Sequence, residues 1–289
     1  MSHHYPADLT RELEDHDLGL SHDLPRILGR RRLLSVFGGV GVVALAGCAS
    51  DGSNEPGATT SSSAAPPNGG AGAESEVSVA AGEIPEETAG PFPGDGSNGL
   101  NVLTESGIVR SDITTSFGSA SGVAEGVPTT VKLKVSDLTG DEATALSGAA
   151  VYLWHCSREG EYSMYSEAIV DQNYLRGVQE TDADGRVEFT TIFPAAYDGR
   201  WPHMHFEVYQ SLDDATSYTN KLRTSQLAIP EETCREIYGV VEGYDASVTN
   251  LDSTSVDTDM IFADGYSLQL AQVEGSVDEG YTLTLNVPV

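Results

Sequence analysis

The feature that most constrains the fold is a two-residue alternation of apolar and polar side chains in short segments. In "TVKLKV", Val131, Leu133 and Val135 alternate with lysines, and "YTLTLNV" repeats the pattern near the end of the chain. "AAVYLWH", "RVEFTTIF" and "HMHFEVY" are further short segments between glycine-rich or acidic turns. Successive side chains of a strand point to opposite faces, so these segments indicate strands. The pattern predicts an all-β sandwich or barrel, with short helical turns near "PEETCREIYG".

The acidic stretch "TDADGR", residues 181–186, has two aspartates and a glycine at a spacing like that of a calcium-binding loop. It lacks the later ligands and the closing glutamate of such a loop, so it predicts a tight turn between strands. The chain also contains no glycine-rich phosphate loop after a strand, no G-x-S-x-G and no zinc-type cysteine cluster.

The first 83 residues differ in composition from the rest. Residues 30–48, "RRRLLSVFGGVGVVALAGC", resemble a twin-arginine export signal that ends in a lipobox, with an ordinary apolar core helix as the alternative. We therefore expect residues 1–48 to be a leader and signal segment. Residues 49–83 are rich in Ser, Ala, Gly, Pro and Glu, which predicts a disordered tether. Residues 84–289 would form the folded β-sandwich domain.

Lipidation of Cys48 would hold the exported protein to the outer face of the bacterial cytoplasmic membrane or to the cell surface. Twin-arginine export carries folded proteins, often with a cofactor already inserted, which hints at a metalloprotein. The formal net charge of −29 argues against nucleic acid as a partner. The two cysteines beyond Cys48, Cys156 and Cys234, are equally compatible with a disulfide and with two buried free thiols.

Only three of the seven histidines lie beyond residue 48, and two of them, His203 and His205, form an H-x-H pattern inside a predicted strand. Together with Glu207 they would share one face of that strand, while Met204 and Phe206 face the core. Two imidazoles side by side can hold a metal ion, although an isolated H-x-H by itself favours a pair of exposed or hydrogen-bonded histidines on a sheet. We expect His155, next to Trp154, to be a buried histidine with satisfied hydrogen bonds.

A longer series of spaced residues identifies a family. The order W-x(5)-G-x-Y, then T-D-x-x-G-x-x-x-F-x-T-I-x-P-x-x-Y, then R-x-x-H-x-H resembles the intradiol ring-cleavage dioxygenases, which include the catechol and protocatechuate dioxygenases. The resemblance extends from about residue 84 to the C-terminus and is densest between Trp154 and Phe206. It implies a β-sandwich catalytic core. The chain departs from the catechol dioxygenases by having a tether in place of a helical N-terminal dimerisation segment, which leaves the oligomeric state open, with a homo-oligomer allowed.

The resemblance also implies the site. Tyr162, Tyr197, His203 and His205 match the family's four protein ligands of a non-haem ferric ion, Fe(III). Ferric iron is a hard cation that prefers anionic oxygen donors, and a nearby cation favours the phenolate form of tyrosine. Arg200 and Gln226 match the active-site arginine and a glutamine beside the substrate. Tyr165 and Tyr174 are left out, because tyrosines in a β-protein are more often packing residues.

The activity implied is that of an enzyme that cleaves catechol-type aromatic diols between the two hydroxyl-bearing carbons with O2, giving muconate-type diacids. The diol would chelate the iron, Tyr197 would be the displaced tyrosinate, and Arg200 would stabilise negative charge on the substrate. One alternative is a surface lipoprotein of the same fold that binds aromatics or metal without catalysis. Another is a ferrous or copper site built from the histidines and Glu207.

Overall fold

The computed structural model describes residues 82–139 and 142–289. The predicted signal segment, the lipidation of Cys48 and nearly all of the predicted tether lie outside the described residues. Among the described residues, no helix is long and apolar enough to cross a membrane.

The described chain is mostly β-structure, as the alternating segments predict. Nine strands occur in chain order: β1 Pro128–Asp137, β2 Thr144–Ala145, β3 Ala150–Trp154, β4 Arg176–Glu180, β5 Arg186–Ile192, β6 His203–Tyr209, β7 Lys221–Ala228, β8 Gln272–Ser276 and β9 Gly280–Pro288. Two α-helices, α1 Glu231–Tyr238 and α2 Asp245–Asp252, follow β7, and three 3-10 helices span Glu167–Ile169, Tyr218–Asn220 and Phe262–Asp264. Helix α1 lies in "PEETCREIYG" as predicted, whereas α2 was not predicted.

One sheet has five strands and is built around β1. This strand pairs in parallel with β9 on one side and antiparallel with β5 and the short β2 on the other, while β8 pairs with β9. Val131, Leu133 and Val135 are buried, whereas Lys132 and Lys134 are exposed. The alternation of β1 therefore places one face in the core and the other in solvent, as predicted.

The second sheet has four strands in the order β4-β3-β6-β7, all antiparallel. Its inner face packs on the five-stranded sheet in one shared core, in which Leu153 and Phe206 lie in the same cluster as Leu133 and Phe189. Two packed antiparallel sheets with a common core form a β-sandwich, so the predicted fold is confirmed.

The outer face of the four-stranded sheet is buried as well. Every residue of β3 and β6 is buried, and the outer-facing Tyr152 and Trp154 pack in a second apolar cluster with residues such as Val102, Leu103 and Ile108. Segments from the region before β1 and from the β3–β4 connection thus cover this face. The polar side chains that alternate along β6 are consequently enclosed by protein.

The two cysteines beyond residue 48 are free thiols. Cys156 and Cys234 are both fully buried, and Cys156 Sγ contacts the Ala195 carbonyl oxygen at 3.7 Å. Burial raises the pKa of Cys156 to about 12 and that of Cys234 further, which keeps both thiols protonated and unreactive. Of the two alternatives that the sequence leaves open, the structure shows the pair of free thiols.

Candidate metal centre

Strand β6 brings the two histidines of the H-x-H pattern to one face. His205 lies between Trp154 of β3 and Gln226 of β7 in direct cross-strand register, so these three side chains form a row across the outer face. The His205 ring stacks on Trp154 with ring centroids 5.0 Å apart and an interplanar angle of 9°. This stacking fixes the orientation of the imidazole.

Two tyrosines reach the same place from loops. Tyr197 lies in the segment before β6, where Arg200 N donates to the Tyr197 carbonyl and Gly199 adopts φ +80° at the third position of the turn. Glycine tolerates this conformation without strain, and the turn brings Tyr197 and Arg200 together. Tyr162 lies in the β3–β4 connection, which the buried Arg176 ties down by donating to Ser163 Oγ at 3.1 Å and to its carbonyl oxygen at 3.0 Å.

The four predicted ligands converge through their polar atoms. Tyr162 Oη is 3.4 Å from Tyr197 Oη, which in turn is 3.1 Å from His203 Nε2. His203 Nε2 is 3.1 Å from His205 Nε2. The structure therefore brings together two phenol oxygens and two imidazole nitrogens from three separate parts of the sequence.

This donor set fits a transition-metal ion. Nitrogen and oxygen ligands bound at about 2.0–2.2 Å, the range seen for zinc, lie roughly 3.0–3.5 Å from one another around the ion. The Nδ1 of His203 lies at the Trp201 carbonyl oxygen, and donating to that acceptor leaves the Nε2 lone pair facing the cluster. The spacing of the four donors is therefore compatible with a metal ion bound among them.

Burial sets the protonation of the four groups. It raises the pKa of Tyr162 well above its ordinary value, and the nearby Tyr197 adds to this. It raises the pKa of Tyr197 to about 12, although the charge of Arg200 opposes the rise. Burial lowers the pKa of His203 and His205 well below the ordinary value. The imidazoles are thus in their neutral, ligand-competent form, and the phenols require a bound cation to ionise.

Arg200 and Gln226 lie beside the four donors. Arg200 Nη1 is 3.3 Å from His203 Nε2, and Arg200 Nη2 donates to Gln226 Oε1 at 2.6 Å. Gln226 Nε2 donates to the Thr88 carbonyl oxygen at 3.0 Å. Both side chains are buried, so the structure places a fixed positive charge and an amide next to the cluster, as the resemblance implies.

Residues 86–92, here called the strap, form a further wall. Glu87 N donates to the Thr224 carbonyl oxygen at 2.8 Å, which holds the strap along β7. Gly90 adopts φ +72°, and a Cβ at this position would lie 3.4 Å from His205 Cε1. The positive φ, which other residues adopt only with strain, therefore favours glycine here, and a Cβ would only be in van der Waals contact with the imidazole. The motif "ETAGPF" lies within the resemblance, but the sequence did not indicate its contact with the site.

The remaining candidate residues do not join the cluster. Glu207 is fully buried and is engaged by Tyr209 Oη at 2.5 Å, Thr224 Oγ1 at 3.2 Å and Lys221 Nζ at 3.3 Å. In the part of the chain that the structure describes, no group of three His, Cys, Asp or Glu side chains could hold a metal. The alternative centre built from the histidines and Glu207 therefore has no support, and a metal here needs the tyrosines.

His155 has both ring nitrogens in contact with protein partners. It lies one residue after the end of β3, with Nδ1 2.8 Å from the Cys156 carbonyl oxygen and Nε2 2.7 Å from Thr191 Oγ1. It is the satisfied buried histidine that the sequence predicts. Asp259 was not predicted: it accepts from Arg200 Nε at 2.8 Å, and no motif distinguishes it among the 44 acidic residues of the chain.

Comparisons with known proteins agree with this architecture. Residues 108–215 match a family model described as "Dioxygenase". The chain is 40% identical over 55 residues to chlorocatechol 1,2-dioxygenase of Rhodococcus opacus, covering 19% of this chain and 21% of that protein. It is 36% identical over 61 residues to catechol 1,2-dioxygenase 1 of Acinetobacter lwoffii, covering 21% of this chain and 20% of that protein. The matches therefore span about a fifth of these relatives' length.

A solved structure shows the same fold. The intradiol ring-cleavage dioxygenase of Tetranychus urticae superposes with a TM-score of 0.51 at 23% identity, covering 64% of this chain and 87% of that one. The family model spans all four converging residues, from Tyr162 to His205. The resemblance to the intradiol ring-cleavage dioxygenases is confirmed by the family model and by the fold.

Proposed function

We propose that this protein is a non-haem Fe(III) dioxygenase that cleaves catechol-type aromatic diols between the two hydroxyl-bearing carbons with O2, giving muconate-type diacids. The observation that carries the proposal is the convergence of Tyr162 Oη, Tyr197 Oη, His203 Nε2 and His205 Nε2 within 3.1–3.4 Å of their neighbours. Two phenol oxygens and two imidazoles without a carboxylate suit a hard ferric ion better than a ferrous one.

The four converging residues would hold the iron. A bound ferric ion would supply a Lewis acid that takes both oxygens of the diol and prepares the ring for reaction with O2. The protein environment would strengthen the interaction between the ion and the diol. Apolar side chains cover the outer face of the four-stranded sheet and keep bulk water away from the donors. In such an environment, charge interactions are stronger than in water.

The chain's own groups would handle protons and charge. Tyr197 Oη contacts His203 Nε2 and is the candidate to accept a diol proton, because a tyrosinate that leaves the metal would be a base. Arg200 would face the anionic diol and stabilise the charge that develops on it. Gln226, held by the Thr88 carbonyl, would position the substrate.

The test combines a spectrum with a turnover assay. The purified protein is loaded with iron, and its visible absorption and iron content are measured before and after anaerobic addition of catechol. We expect a broad tyrosinate-to-iron charge-transfer band that shifts with catechol, then consumption of one O2 per catechol and formation of a muconate-type product after air is admitted.

Two outcomes would contradict the proposal. A protein that stays colourless after iron reconstitution would overturn the four-ligand assignment. A coloured protein that binds catechol but consumes no O2 would instead be a binding lipoprotein of the same fold.

We also propose that the protein is exported and anchored through Cys48, although residues 1–48 lie outside the described part of the chain. The support is the order of arginines, apolar run and "LAGC" in residues 30–48. Expression in a bacterium with twin-arginine export should place the protein in the membrane fraction, and Cys48→Ala should release it. Recovery of wild-type protein from the cytosol would contradict this.

A further inference from the structure

We infer that Asp259 is a positioning residue that orients Arg200 toward the reacting substrate, an inference that rests on the proposed function. Asp259 belongs to the segment between α2 and β8, far in sequence from every predicted site residue. Its side chain is fully buried. A buried carboxylate that contacts an active-site arginine requires compensating partners, and the structure shows all of them.

Both oxygens of the Asp259 carboxylate are engaged. Oδ2 accepts from Arg200 Nε at 2.8 Å and from Trp201 N at 2.7 Å. Oδ1 accepts from Ile261 N at 2.9 Å and from Phe262 N at 3.2 Å. One side-chain hydrogen bond and three backbone hydrogen bonds fix the carboxylate in place. It can therefore act as a rigid acceptor for Arg200.

The bond to Nε determines where the rest of the guanidinium points. The group is planar, and its donors form a rigid fork. With Nε directed at Asp259 and Nη2 at Gln226, Nη1 lies at the donor cluster, 3.3 Å from His203 Nε2. The edge of the guanidinium that carries Nε and Nη2 thus bonds to protein side chains. Nη1 is directed toward the four donors, where a diol would bind.

The same carboxylate also controls the chain leading to the first histidine. Its Oδ2 holds the backbone of Trp201, whose carbonyl oxygen is the partner of His203 Nδ1. In addition, the backbone N–H of Phe262 donates to Asp259. The ring centroid of Phe262 lies 5.9 Å from Arg200 Cζ. Asp259 therefore connects the Phe262 segment, the arginine and the approach to β6 in one hydrogen-bonded unit.

The Asp259 carboxylate also neutralises the charge of Arg200. Arg200 is 3% exposed and its ion pair with Asp259 is buried, so the two charges cancel next to the donor cluster. Removing the carboxylate charge would leave an uncompensated cation in the pocket. We expect such a cation to lose its fixed orientation and so to leave its position facing the diol.

The experiment uses the full chain loaded with iron and compares Asp259→Asn with a matched control, Asp252→Asn. Asp252 is an exposed residue of α2 that pairs with Arg235 at 2.9 Å, so the same chemical change occurs there away from the site. We expect Asp259→Asn to keep the iron content and the resting charge-transfer band, because no ligand changes. Its kcat should fall at least about 10-fold, and Asp252→Asn should match the wild type.

A double-mutant cycle with Arg200→Gln separates positioning from general damage. If Asp259 acts through Arg200, Asp259→Asn should lower kcat less than twofold in the Arg200→Gln background. An equal loss in both backgrounds, or no loss in the wild-type background, would overturn the inference.

A readout independent of activity is the proton NMR signal of Arg200 Nε–H in the full chain before iron is added. We expect it to be shifted downfield and protected from exchange in the wild type. A rapidly exchanging signal would overturn the inference even if Asp259→Asn failed to fold. Absence of ring cleavage by the wild type would count against the proposed function, while this signal would still decide whether Asp259 holds Arg200.

Discussion

The two sheets of the sandwich share one core but differ on their outer faces. In β9 of the five-stranded sheet, buried positions alternate with half-buried ones along most of the strand, whereas every residue of β6 in the four-stranded sheet is buried. Polar side chains on the first outer face reach water. On the second face, Arg200, Gln226 and Glu207 have partners inside the protein, which offsets the cost of burying them.

The difference explains where chemistry can arise. On the four-stranded sheet, His205 is held by stacking on Trp154, and Arg200 is held by Asp259 and Gln226. Each partner fixes an orientation, and burial lowers the pKa of His205. The five-stranded sheet supplies the other half of the core and places no predicted site residue. One sheet therefore acts as scaffold, and the other carries the functional groups on a face closed to solvent.

The largest expected effect comes from breaking the shared core. Phe206 is fully buried on the inner face of β6, and Phe206→Ala should lower the free energy of unfolding by about 3–5 kcal/mol, because it removes apolar contacts and leaves a cavity. Urea unfolding at constant metal content measures this. Phe206→Leu is the control and should cost less than about 1.5 kcal/mol. A cost below about 1 kcal/mol for Phe206→Ala would show that the two sheets do not depend on one core.

The next effect concerns His155, which joins the two sheets through Thr191 of β5. Burial lowers the pKa of His155 from its ordinary value of 6.5 to about 4. The unfolded chain therefore binds a proton between pH 6.5 and 4 that the folded chain does not. Stability should fall as the pH drops through this window, by up to about 3 kcal/mol from this residue.

Urea midpoints from pH 4 to 7 test the sign. His203 and His205 also have a lowered pKa and contribute to the same slope, so the difference between wild type and His155→Gln isolates His155. The variant should show a flatter dependence on pH. Parallel curves for the two proteins would mean that folding does not change the pKa of His155.

The sequence predicts the positions of the strands better than it predicts which segments pack on the sheets. The alternation in β1 and the H-x-H of β6 depend on side chains two residues apart, so local pattern suffices. The burial of the outer face depends on residues such as Val102 and Ile108 that cover it from a distant part of the chain. No local pattern encodes that contact. Helix α2 was missed because its eight residues show little apolar periodicity.

The residues of the site also fall into those that the sequence predicts and those that only the structure reveals. His203 and His205 are visible from their spacing alone, and Tyr162 and Tyr197 come from the family resemblance. Asp259 was invisible, since its bond to Arg200 joins residues 59 positions apart and acidic residues are abundant throughout the chain. Partners of a functional residue are set by the fold, so a sequence reveals them only when they belong to a motif.

The third prediction concerns the enclosed face itself. Under the proposed function, Tyr162→Phe removes one oxygen donor and should weaken iron binding about 100-fold or more, which exceeds the usual effect of residues behind the ligands. Chelator competition and the charge-transfer band measure this. Tyr174→Phe changes a second buried tyrosine outside the cluster and should retain iron. Equal iron retention by both variants would remove Tyr162 from the ligand set.

The smallest effect is expected on the open face. Lys132 of β1 lies opposite Glu188 of β5, with Nζ 3.6 Å from the carboxylate and both side chains more than half exposed. An exposed pair contributes little, so Lys132→Ala should change stability by about 0.2–1 kcal/mol, and less at high salt.

The four-stranded sheet contains a corresponding pair, in which Lys221 contacts the fully buried Glu207 at 3.3 Å. Lys221→Ala should destabilise the protein more than Lys132→Ala. The carboxylate of Glu207 is buried, so water cannot solvate it in place of the lost ammonium group. Urea midpoints of both variants at pH 8, where Glu207 is ionised with a pKa of about 7, make the comparison. Equal costs would show that water reaches the outer face of the four-stranded sheet, and the distinction between an open scaffold sheet and an enclosed functional sheet would fail.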